Sequence, residues 1–194
     1  MSSDDKVLFI VFGPQGSGKS TQGQRLAQRL NLPYFESGAI LRAQASTDPS
    51  LNDNVTRGIL VTDEQMQSIV ERFLAQHPNK RGFVFDGFPR TLSQVTILDQ
   101  MAAKYGWRVI GIYLKISDET VRQRLATRYQ LINGKQARRA DDTPEIISKR
   151  LATYHQRTRP ILDNLKKRHV VIEIDGEQPI DIVTDEIWQA VGPR

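Results

Sequence analysis

Eight residues near the start of the chain have the types and the spacing to bind phosphate groups: Gly13-Pro14-Gln15-Gly16-Ser17-Gly18-Lys19-Ser20. They fit the pattern G-x-x-x-x-G-K-[ST], and they lie between the apolar run Val7–Phe12 and a helical pattern, as the motif requires. The glycines let backbone amides turn inward, and the helix N-terminus adds partial positive charge. Lys19 can reach the outer phosphates, and the Ser20 hydroxyl can ligate magnesium. The segment therefore predicts a nucleotide-phosphate site, whatever reaction follows.

The segments that position this loop alternate between short apolar runs and longer helical patterns, which predicts a parallel sheet flanked by helices. The predicted strands are Val7–Phe12, Pro33–Phe35, Phe83–Phe85, Val109–Lys115 and Val170–Ile174. The predicted helices are Lys19–Leu30, Gly38–Ala45, Asp63–Gln76, Leu92–Lys104, Glu119–Thr127, Pro144–Lys167 and Ile180–Ala190. Residues 37–62 and the loop-like, polar residues 129–142 fit the alternation poorly, and both are expected to be mobile elements over a cleft.

Composition and charge narrow the class of protein. The 194 residues suit one domain, and the absence of cysteine excludes disulfides and Cys-ligated zinc. The net charge of +5 would suit a nucleic-acid binder, but the basic residues are spread along the chain, and a cleft for a polyphosphate accounts for them as well. The apolar run Val7–Phe12 is too short for a signal peptide or a membrane span. We predict a cytoplasmic protein, expected to be monomeric, with no membrane or nucleic-acid partner.

Further motifs resemble the adenylate kinase family over nearly the whole chain. Thr21-Gln22 continues the phosphate loop as in that family, and Ser37-Gly38-Ala39-Ile40-Leu41-Arg42 resembles its Thr-Gly-Asp-(Leu/Met)-Leu-Arg element. The other resembling stretches, in chain order, are Gly58–Glu64, Asp86–Thr91 with Gln94 after it, Arg124 with Arg128, Arg139–Asp142 and Lys149–Leu151. So many motifs in the family's order make the resemblance very specific.

This resemblance implies a fold, a domain organisation and a reaction. The fold would be α/β, a P-loop NTPase three-layer sandwich with a five-stranded parallel sheet flanked by helices, and with small AMP-binding and lid insertions. The reaction would be the reversible, Mg²⁺-dependent transfer of the terminal phosphate of ATP to AMP, giving two ADP. A short lid without cysteines implies no zinc. Within a single kinase domain over residues 1–194, the implied parts are a core of residues 1–36, 67–128 and 141–194, an AMP-binding insert of residues 37–66 and a lid of residues 129–140.

The resemblance also implies roles for individual residues, since phosphoryl transfer needs positioning and charge neutralisation more than covalent help. The implied ATP-binding residues are Gly13, Gly16, Ser17, Gly18, Lys19, Ser20, Thr21, Arg124 and Arg128. The implied AMP-binding residues are Ser37, Gly38, Arg42, Gly58, Val61, Gly87, Arg90, Gln94, Arg139 and Arg150. The implied catalytic residues are Lys19, Asp86, Arg90, Arg128, Arg139 and Arg150. Magnesium is expected at Ser20 and, through water, at Asp86.

Two positions depart from the family pattern, and the alternatives depend partly on them. Ser20 stands where the family usually has glycine, and Ala39 where it usually has an aspartate that can order magnesium-bound water, so the turnover rate stays open. Gln94 favours AMP over the acceptors of a UMP/CMP-type kinase, because its amide can pair with the adenine edge. A catalytically weak, nucleotide-binding regulatory module is supported only by Ala39, and a nucleic-acid binder only by the net charge.

Overall fold

The computed structural model describes residues 6–45, 61–78, 80–132, 135–138 and 143–192. Within these ranges strands and helices alternate along the chain, as the apolar pattern predicts. The elements, in chain order, are β1 (Val7–Phe12), α1 (Lys19–Leu30), β2 (Tyr34–Glu36), α2 (Ser37–Ala45), α3 (Asp63–Ala75), β3 (Gly82–Asp86), α4 (Leu92–Tyr105), β4 (Arg108–Lys115), α5 (Asp118–Ala126), β5 (Tyr129–Ile132), β6 (Lys135–Arg138), α6 (Pro144–Thr153), a π-helical turn (Tyr154–Thr158), α7 (Arg159–Arg168), β7 (Val170–Asp175) and α8 (Ile180–Val191).

Five of these strands form one parallel sheet in the order β2-β3-β1-β4-β7. The central strand β1 is buried along its whole length. Strands that are covered on both faces read as continuous apolar runs, which explains why Val7–Phe12 shows no polar alternation. In register, Ile10 pairs with Phe85 of β3 and with Gly111 of β4. The predicted α/β fold with a five-stranded parallel sheet flanked by helices is confirmed.

Helices pack on both faces of the sheet and create two cores. Leu8 and Ile10 of β1 belong to the core under α3, α4 and α7, whereas Phe9 and Val11 belong to the core under α1 and α8. Each fully buried large apolar side chain contributes roughly 1.5–3 kcal/mol to stability. The two cores therefore hold β1 firmly from both sides, and with it the loop that follows β1.

A smaller apolar cluster joins α5 to α6. Val121 and Leu125 of α5 pack with Ile147 and Leu151 of α6, and all four side chains are buried. The same two helices carry the basic residues Arg124 and Arg150 of the predicted site, each next to a residue of the cluster in the sequence. The cluster thus fixes the distance between those basic residues through apolar packing.

Two helix starts carry N-caps that match known sequence patterns. In the capping box of α3, Thr62 Oγ1 accepts a hydrogen bond from the Gln65 N–H at 3.3 Å, and Gln65 Oε1 accepts one from the Thr62 N–H at 3.0 Å. At α6, Thr143 Oγ1 accepts from the Ile146 N–H at 3.4 Å, and Pro144 occupies the first turn. These contacts satisfy N–H groups that have no partner inside the helix.

The prediction of one helix over Pro144–Lys167 is wrong, because the π-helical turn Tyr154–Thr158 separates α6 from α7. Pro160 follows this turn in the sequence. A proline lacks the N–H that would continue the regular i→i−4 ladder, and its ring crowds the preceding turn. Wider i→i+5 turns of this kind are frequent at functional sites, and this one lies beside the cavity described below.

The prediction of a loop over residues 129–142 also needs correction in the part that the structure describes. Tyr129–Ile132 and Lys135–Arg138 form a two-stranded antiparallel sheet, in which Tyr129 pairs with Arg138. The Asn-Gly dipeptide between the two strands in the sequence is a hairpin signal that the loop prediction passed over. Among the described residues, no helix has the length and apolar character needed to cross a membrane.

Candidate active site

Three neighbouring strands end at the same edge of the sheet and deliver the site residues there. Glu36 ends β2 and lies in register with Asp86, which ends β3, and Asp86 in turn lies in register with Val11 of β1. In parallel α/β sheets, ligands bind outside the carboxyl ends of the strands. A cavity of about 540 Å³ opens at this edge.

Most of the predicted site residues that the structure describes line this cavity. They are Gly13, Gly16, Gly18, Lys19, Ser20, Thr21, Gly38, Arg42, Asp86, Gly87, Arg90, Arg124, Arg128 and Arg150. Four others are buried and do not line it: Ser17, Ser37, Val61 and Gln94. Gly58 and Arg139 lie outside the described residues. The tertiary structure therefore brings together residues that lie more than a hundred positions apart in the sequence.

Backbone conformation shapes the phosphate loop after β1. Its glycines have positive φ values, 144° at Gly13, 81° at Gly16 and 92° at Gly18. A Cβ at Gly13 would lie 2.7 Å from the carbonyl oxygen of Leu114, so only glycine fits there. No side chain caps the first turn of α1, and the N–H groups of that turn point toward the cavity end of the helix, where an anion is stabilised.

Lys19 is a partly buried ammonium beside this loop. Its Nζ donates to the carbonyl oxygen of Pro14 at 2.7 Å. Burial lowers the pKa of Lys19 to about 8; the carboxylate of Asp86 opposes this shift, and the positive charges of Arg90 and Arg128 reinforce it. An ammonium with so lowered a pKa gains more from an added anion than an exposed lysine does, because phosphate oxygens restore the favourable environment that burial removed.

Asp86 is held by two hydroxyl groups. Ser20 Oγ donates to Asp86 Oδ2 at 2.7 Å, and Tyr34 Oη donates to the same oxygen at 3.1 Å. Burial raises the pKa of Tyr34 and the charges of Asp86 and Glu36 add to the rise, so its phenol stays a donor. Tyr34 was missed from the sequence because it reads as an ordinary strand residue and belongs to none of the motifs.

Arg90 is fixed by backbone and side-chain oxygens. Its Nε donates to the carbonyl oxygen of Gly87 at 2.7 Å, and its Nη2 donates to Ser37 Oγ at 3.1 Å. Ser37 Oγ itself donates to the same Gly87 carbonyl at 2.9 Å. Gly87 has a φ of 81°, and a Cβ there would lie 2.2 Å from Ser37 Oγ, so a side chain would break this arrangement. Burial lowers the pKa of Arg90, while Asp86 acts to raise it.

Gln94 lies against Arg90 but uses its amide within the protein. Its Oε1 accepts from the Arg90 N–H at 2.7 Å, and its Nε2 donates to Asp63 Oδ1 at 2.8 Å. Burial acts to raise the pKa of Asp63, but hydrogen bonds from Ser93, Gln94 and Thr91 outweigh it and lower the pKa. An amide has two N–H donors and two acceptor lone pairs. The two bonds therefore orient the Gln94 amide and use half of its capacity.

The comparison with known proteins agrees with this geometry. A model of the adenylate kinase family matches residues 11–170. The chain belongs to the adenylate kinase family. It is 36% identical over 193 residues to the adenylate kinase of Thermobifida fusca (strain YX), covering 97% of this chain and 100% of that protein. It is also 31% identical over 206 residues to the adenylate kinase of Fusobacterium nucleatum subsp. nucleatum, covering 95% of this chain and 98% of that protein. The predicted family, P-loop fold and enzyme class are confirmed.

Several lining residues were missed by reasoning from the sequence. Thr153, Tyr154 and Thr158 face the cavity from the π-helical turn and its flank, and the predicted continuous helix hid them. The Tyr154 hydroxyl donates to the Tyr113 hydroxyl at 3.3 Å, and burial raises the pKa of Tyr154. Glu36 was missed because it immediately precedes the motif that begins at Ser37. Arg124 lines the cavity as predicted, and its Nη2 donates to the Glu177 carbonyl at 3.4 Å.

The arrangement suits an adenylate kinase family enzyme that stabilises negative charge on transferring phosphate. The basic lining residues, among those described, are Lys19, Arg42, Arg90, Arg124, Arg128 and Arg150. The described part of the chain holds no group of three or more His, Cys, Asp or Glu side chains that could bind a metal ion by themselves.

Proposed function

We propose that this chain transfers the terminal phosphate of ATP to AMP, reversibly and with Mg²⁺, to give two ADP. The observation that carries the proposal is the cavity itself, in which a phosphate loop and arginines from four other segments face one space of about 540 Å³. A loop for one nucleotide needs no such set of arginines. Two nucleotides that bring their phosphates together do need it, because the oxygens of both repel each other.

On the donor side, the phosphate loop binds the phosphates of ATP. The proposed ATP ligands are Gly13, Gly16, Ser17, Gly18, Lys19, Ser20, Thr21, Arg124 and Arg128. Backbone N–H groups and Lys19 hold the β- and γ-phosphates, as the loop geometry supports. Arg124 lies at the rim of the cavity and packs against the adenine, a contact that a planar guanidinium suits.

Ser20 and Asp86 are the proposed magnesium residues. Their oxygens lie 2.7 Å apart and are of the hard type that magnesium prefers. The donor set thus fits the ion, with Ser20 as a direct ligand and Asp86 as a partner of its bound water. Magnesium supplies charge neutralisation and orientation of the phosphates. Tyr34 holds the Asp86 carboxylate through the same oxygen as Ser20.

On the acceptor side, arginines bind the phosphate of AMP and Gln94 reads its base. The proposed AMP ligands are Ser37, Gly38, Arg42, Gly58, Val61, Gly87, Arg90, Gln94, Arg139 and Arg150. Asp63 orients the Gln94 amide, whose remaining N–H and lone pair match adenine N6 and the adjacent ring nitrogen. Ser37 and Gly87 act by holding the Arg90 guanidinium in place.

The proposed reaction needs no covalent intermediate. The acceptor phosphate oxygen attacks the γ-phosphorus of ATP in line with the leaving ADP oxygen. Lys19, Arg90, Arg128, Arg139 and Arg150 stabilise the charge on the transferring group, and Asp86 positions the metal. Positioning the two reactants in line and stabilising the charge together supply almost all of the rate enhancement in such transfers. Ala39 offers no carboxylate, and Asp86 would hold the water of a bound magnesium ion.

An assay of ADP formation tests the proposal. Purified protein, ATP and Mg²⁺ are combined with AMP, CMP or UMP as the acceptor, and kcat/KM is compared. We expect AMP to be the best acceptor and EDTA to stop the reaction. A preference for CMP or UMP would show that the protein is a pyrimidine monophosphate kinase. Nucleotide binding without turnover would show that it is a regulatory module. The division into core, AMP-binding insert and lid, the monomeric state and the cytoplasmic location remain predictions.

A further inference from the structure

Glu36 places a negative charge in a cavity that is otherwise rich in cations. It ends β2 and lies in register with Asp86 at the end of β3. Among the described residues that line the cavity, Glu36 and Asp86 are the acidic ones. The magnesium site accounts for Asp86, whereas the proposed reaction assigns nothing to Glu36. A carboxylate in a phosphate-binding cleft weakens anion binding by like-charge repulsion, so its presence requires an explanation.

The contact partner of Glu36 is Arg42, one of the proposed ligands of the acceptor phosphate. Arg42 Nη2 donates to Glu36 Oε1 at 3.2 Å, with the two side chains 39% and 21% exposed, respectively. On its other edge the guanidinium lies against Gly38, where a Cβ would come within 3.0 Å of Arg42 Nη1. Arg42 is therefore held between a carboxylate and the first turn of α2. The planar fork of arginine matches a carboxylate and a phosphate equally well.

The charge of Glu36 acts beyond Arg42. Burial lowers the pKa of both Lys19 and Arg90, and the negative charge of Glu36 acts in the opposite direction on both groups. These two cations belong to the donor side and to the acceptor side. Glu36 thus partly neutralises a cluster of like charges for as long as no phosphate does so.

We propose that Glu36 is a positioning residue that stands in for the acceptor phosphate: it holds Arg42 in an ion pair while the site is empty and gives Arg42 up when the monophosphate enters. The inference rests on the proposed function, because it takes Arg42 as a ligand of that phosphate. The exchange keeps a flexible arginine in place before binding. Breaking the ion pair costs free energy each time AMP binds. Glu36 therefore lowers the affinity for AMP and speeds product release.

Calorimetric titration of AMP in metal-free buffer with EDTA tests this role without turnover. Glu36→Gln keeps the shape and a hydrogen bond to Arg42 but removes the charge. We expect its Kd for AMP to be about two- to fivefold lower than that of the unmodified protein, because a competing ion pair is lost. The Kd for ATP is expected to change less than about twofold. Glu173→Gln, which removes a carboxylate paired with Lys166 away from the cavity, is the matched control and leaves both values unchanged.

A double-mutant cycle with Arg42→Ala separates the ion pair from direct repulsion. Without Arg42, the change Glu36→Gln is expected to alter the AMP Kd less than about twofold, because Glu36 and the phosphate then have no arginine to compete for. Unchanged or weaker AMP binding by Glu36→Gln, with thermal unfolding showing a folded protein, overturns the inference. Equal tightening with and without Arg42 also overturns it, in favour of repulsion. Failure of the unmodified protein to bind AMP counts instead against the proposed function.

Discussion

The donor side and the acceptor side of the cavity differ in what holds their functional groups. On the donor side, consecutive residues from Gly13 to Ser20 form the site, and backbone conformation gives the loop its shape. On the acceptor side, Arg42 comes from α2, whereas Arg90 and Gln94 come from the segment after β3, and each is held by a hydrogen bond to a side chain. One half is thus built by the local chain and the other by tertiary contacts.

This difference has a consequence for binding. N–H groups at a helix N-terminus have no internal partner to give up when phosphate arrives. The acceptor groups already have partners, Glu36 for Arg42 and Asp63 for Gln94, so a substrate must displace or share them. We therefore expect the donor side to be sensitive to the loss of a charge, and the acceptor side to be sensitive to the loss of a partner.

The largest effect is expected from Lys19→Met, which removes the single side-chain charge that the donor loop contributes. Loss of one preorganised donor costs about 2.7–4 kcal/mol in the transition state, so kcat should fall about 10²- to 10³-fold. Coupled assays of ADP formation measure kcat, and circular dichroism checks that the variant is folded. Lys167→Met, at an exposed lysine, serves as the control. Unchanged turnover in the Lys19 variant would contradict the role of the loop.

Gln94→Ala tests the acceptor side at its buried amide. A paired contact between a side chain and a base is worth ~1–3 kcal/mol, so we expect AMP efficiency to fall roughly 5- to 150-fold at ~1.4 kcal/mol per decade. ATP affinity should change little. Steady-state kinetics with AMP, CMP and UMP varied at saturating ATP measure both efficiency and preference. Gln28→Ala, at an exposed position of α1, is the matched variant. If efficiency and preference for AMP both survive the loss of Gln94, another group reads the base.

The pH dependence of ATP binding sharpens the comparison, because it should affect the donor side alone. The pKa of Lys19 is about 8, and only its charged form attracts phosphates, so the Kd for ATP should rise about tenfold between pH 7 and pH 9. Between pH 8 and pH 10.5, Lys19 is mostly neutral in the folded protein and still protonated in the unfolded chain, where its pKa has the ordinary value of 10.5. The unfolded chain therefore binds more protons in this range, and the free energy of unfolding rises with pH. Calorimetry and thermal unfolding measure the two effects, and both should vanish in Lys19→Met. An ATP Kd independent of pH would refute the assigned charge.

The smallest effect is expected from Tyr34→Phe, which removes one hydroxyl from Asp86 and leaves the ring in place. A hydrogen bond to a charged group contributes about 1.5–3 kcal/mol when buried, but Ser20 still holds the same oxygen. We therefore expect the Mg²⁺ concentration for half-maximal rate to rise about two- to fivefold, with AMP affinity unchanged. Titration with Mg²⁺ at fixed ATP measures this shift. Tyr105→Phe, on the protein surface, is the control; equal Mg²⁺ dependence in both variants would remove Tyr34 from the metal site.

Local elements could be predicted from the sequence because their signals are short-range. Val7–Phe12 and Lys19–Leu30 were predicted with the bounds that the structure shows, since a buried parallel strand and an amphipathic helix each leave a periodic pattern. The cap at Thr62 was equally readable, because it depends on two residues three positions apart. The π-helical turn could not be predicted in this way, although Pro160 follows it, because the same periodic pattern of apolar residues continues through it.

The sequence by itself determined the family, through motifs spread along the chain. It also determined the donor loop and the strands of the parallel sheet, which depend on neighbouring residues. Only the tertiary structure decided which partners the site residues have. Tyr34 on Asp86, Asp63 on Gln94 and Ser37 on Arg90 are contacts between segments, and no local pattern encodes them. The physical reason is that parallel strands distant in sequence end at one edge of the sheet. Side chains that give no signal in the pattern of their own segments meet at this edge. There they determine one another's orientation, hydrogen bonds and pKa values.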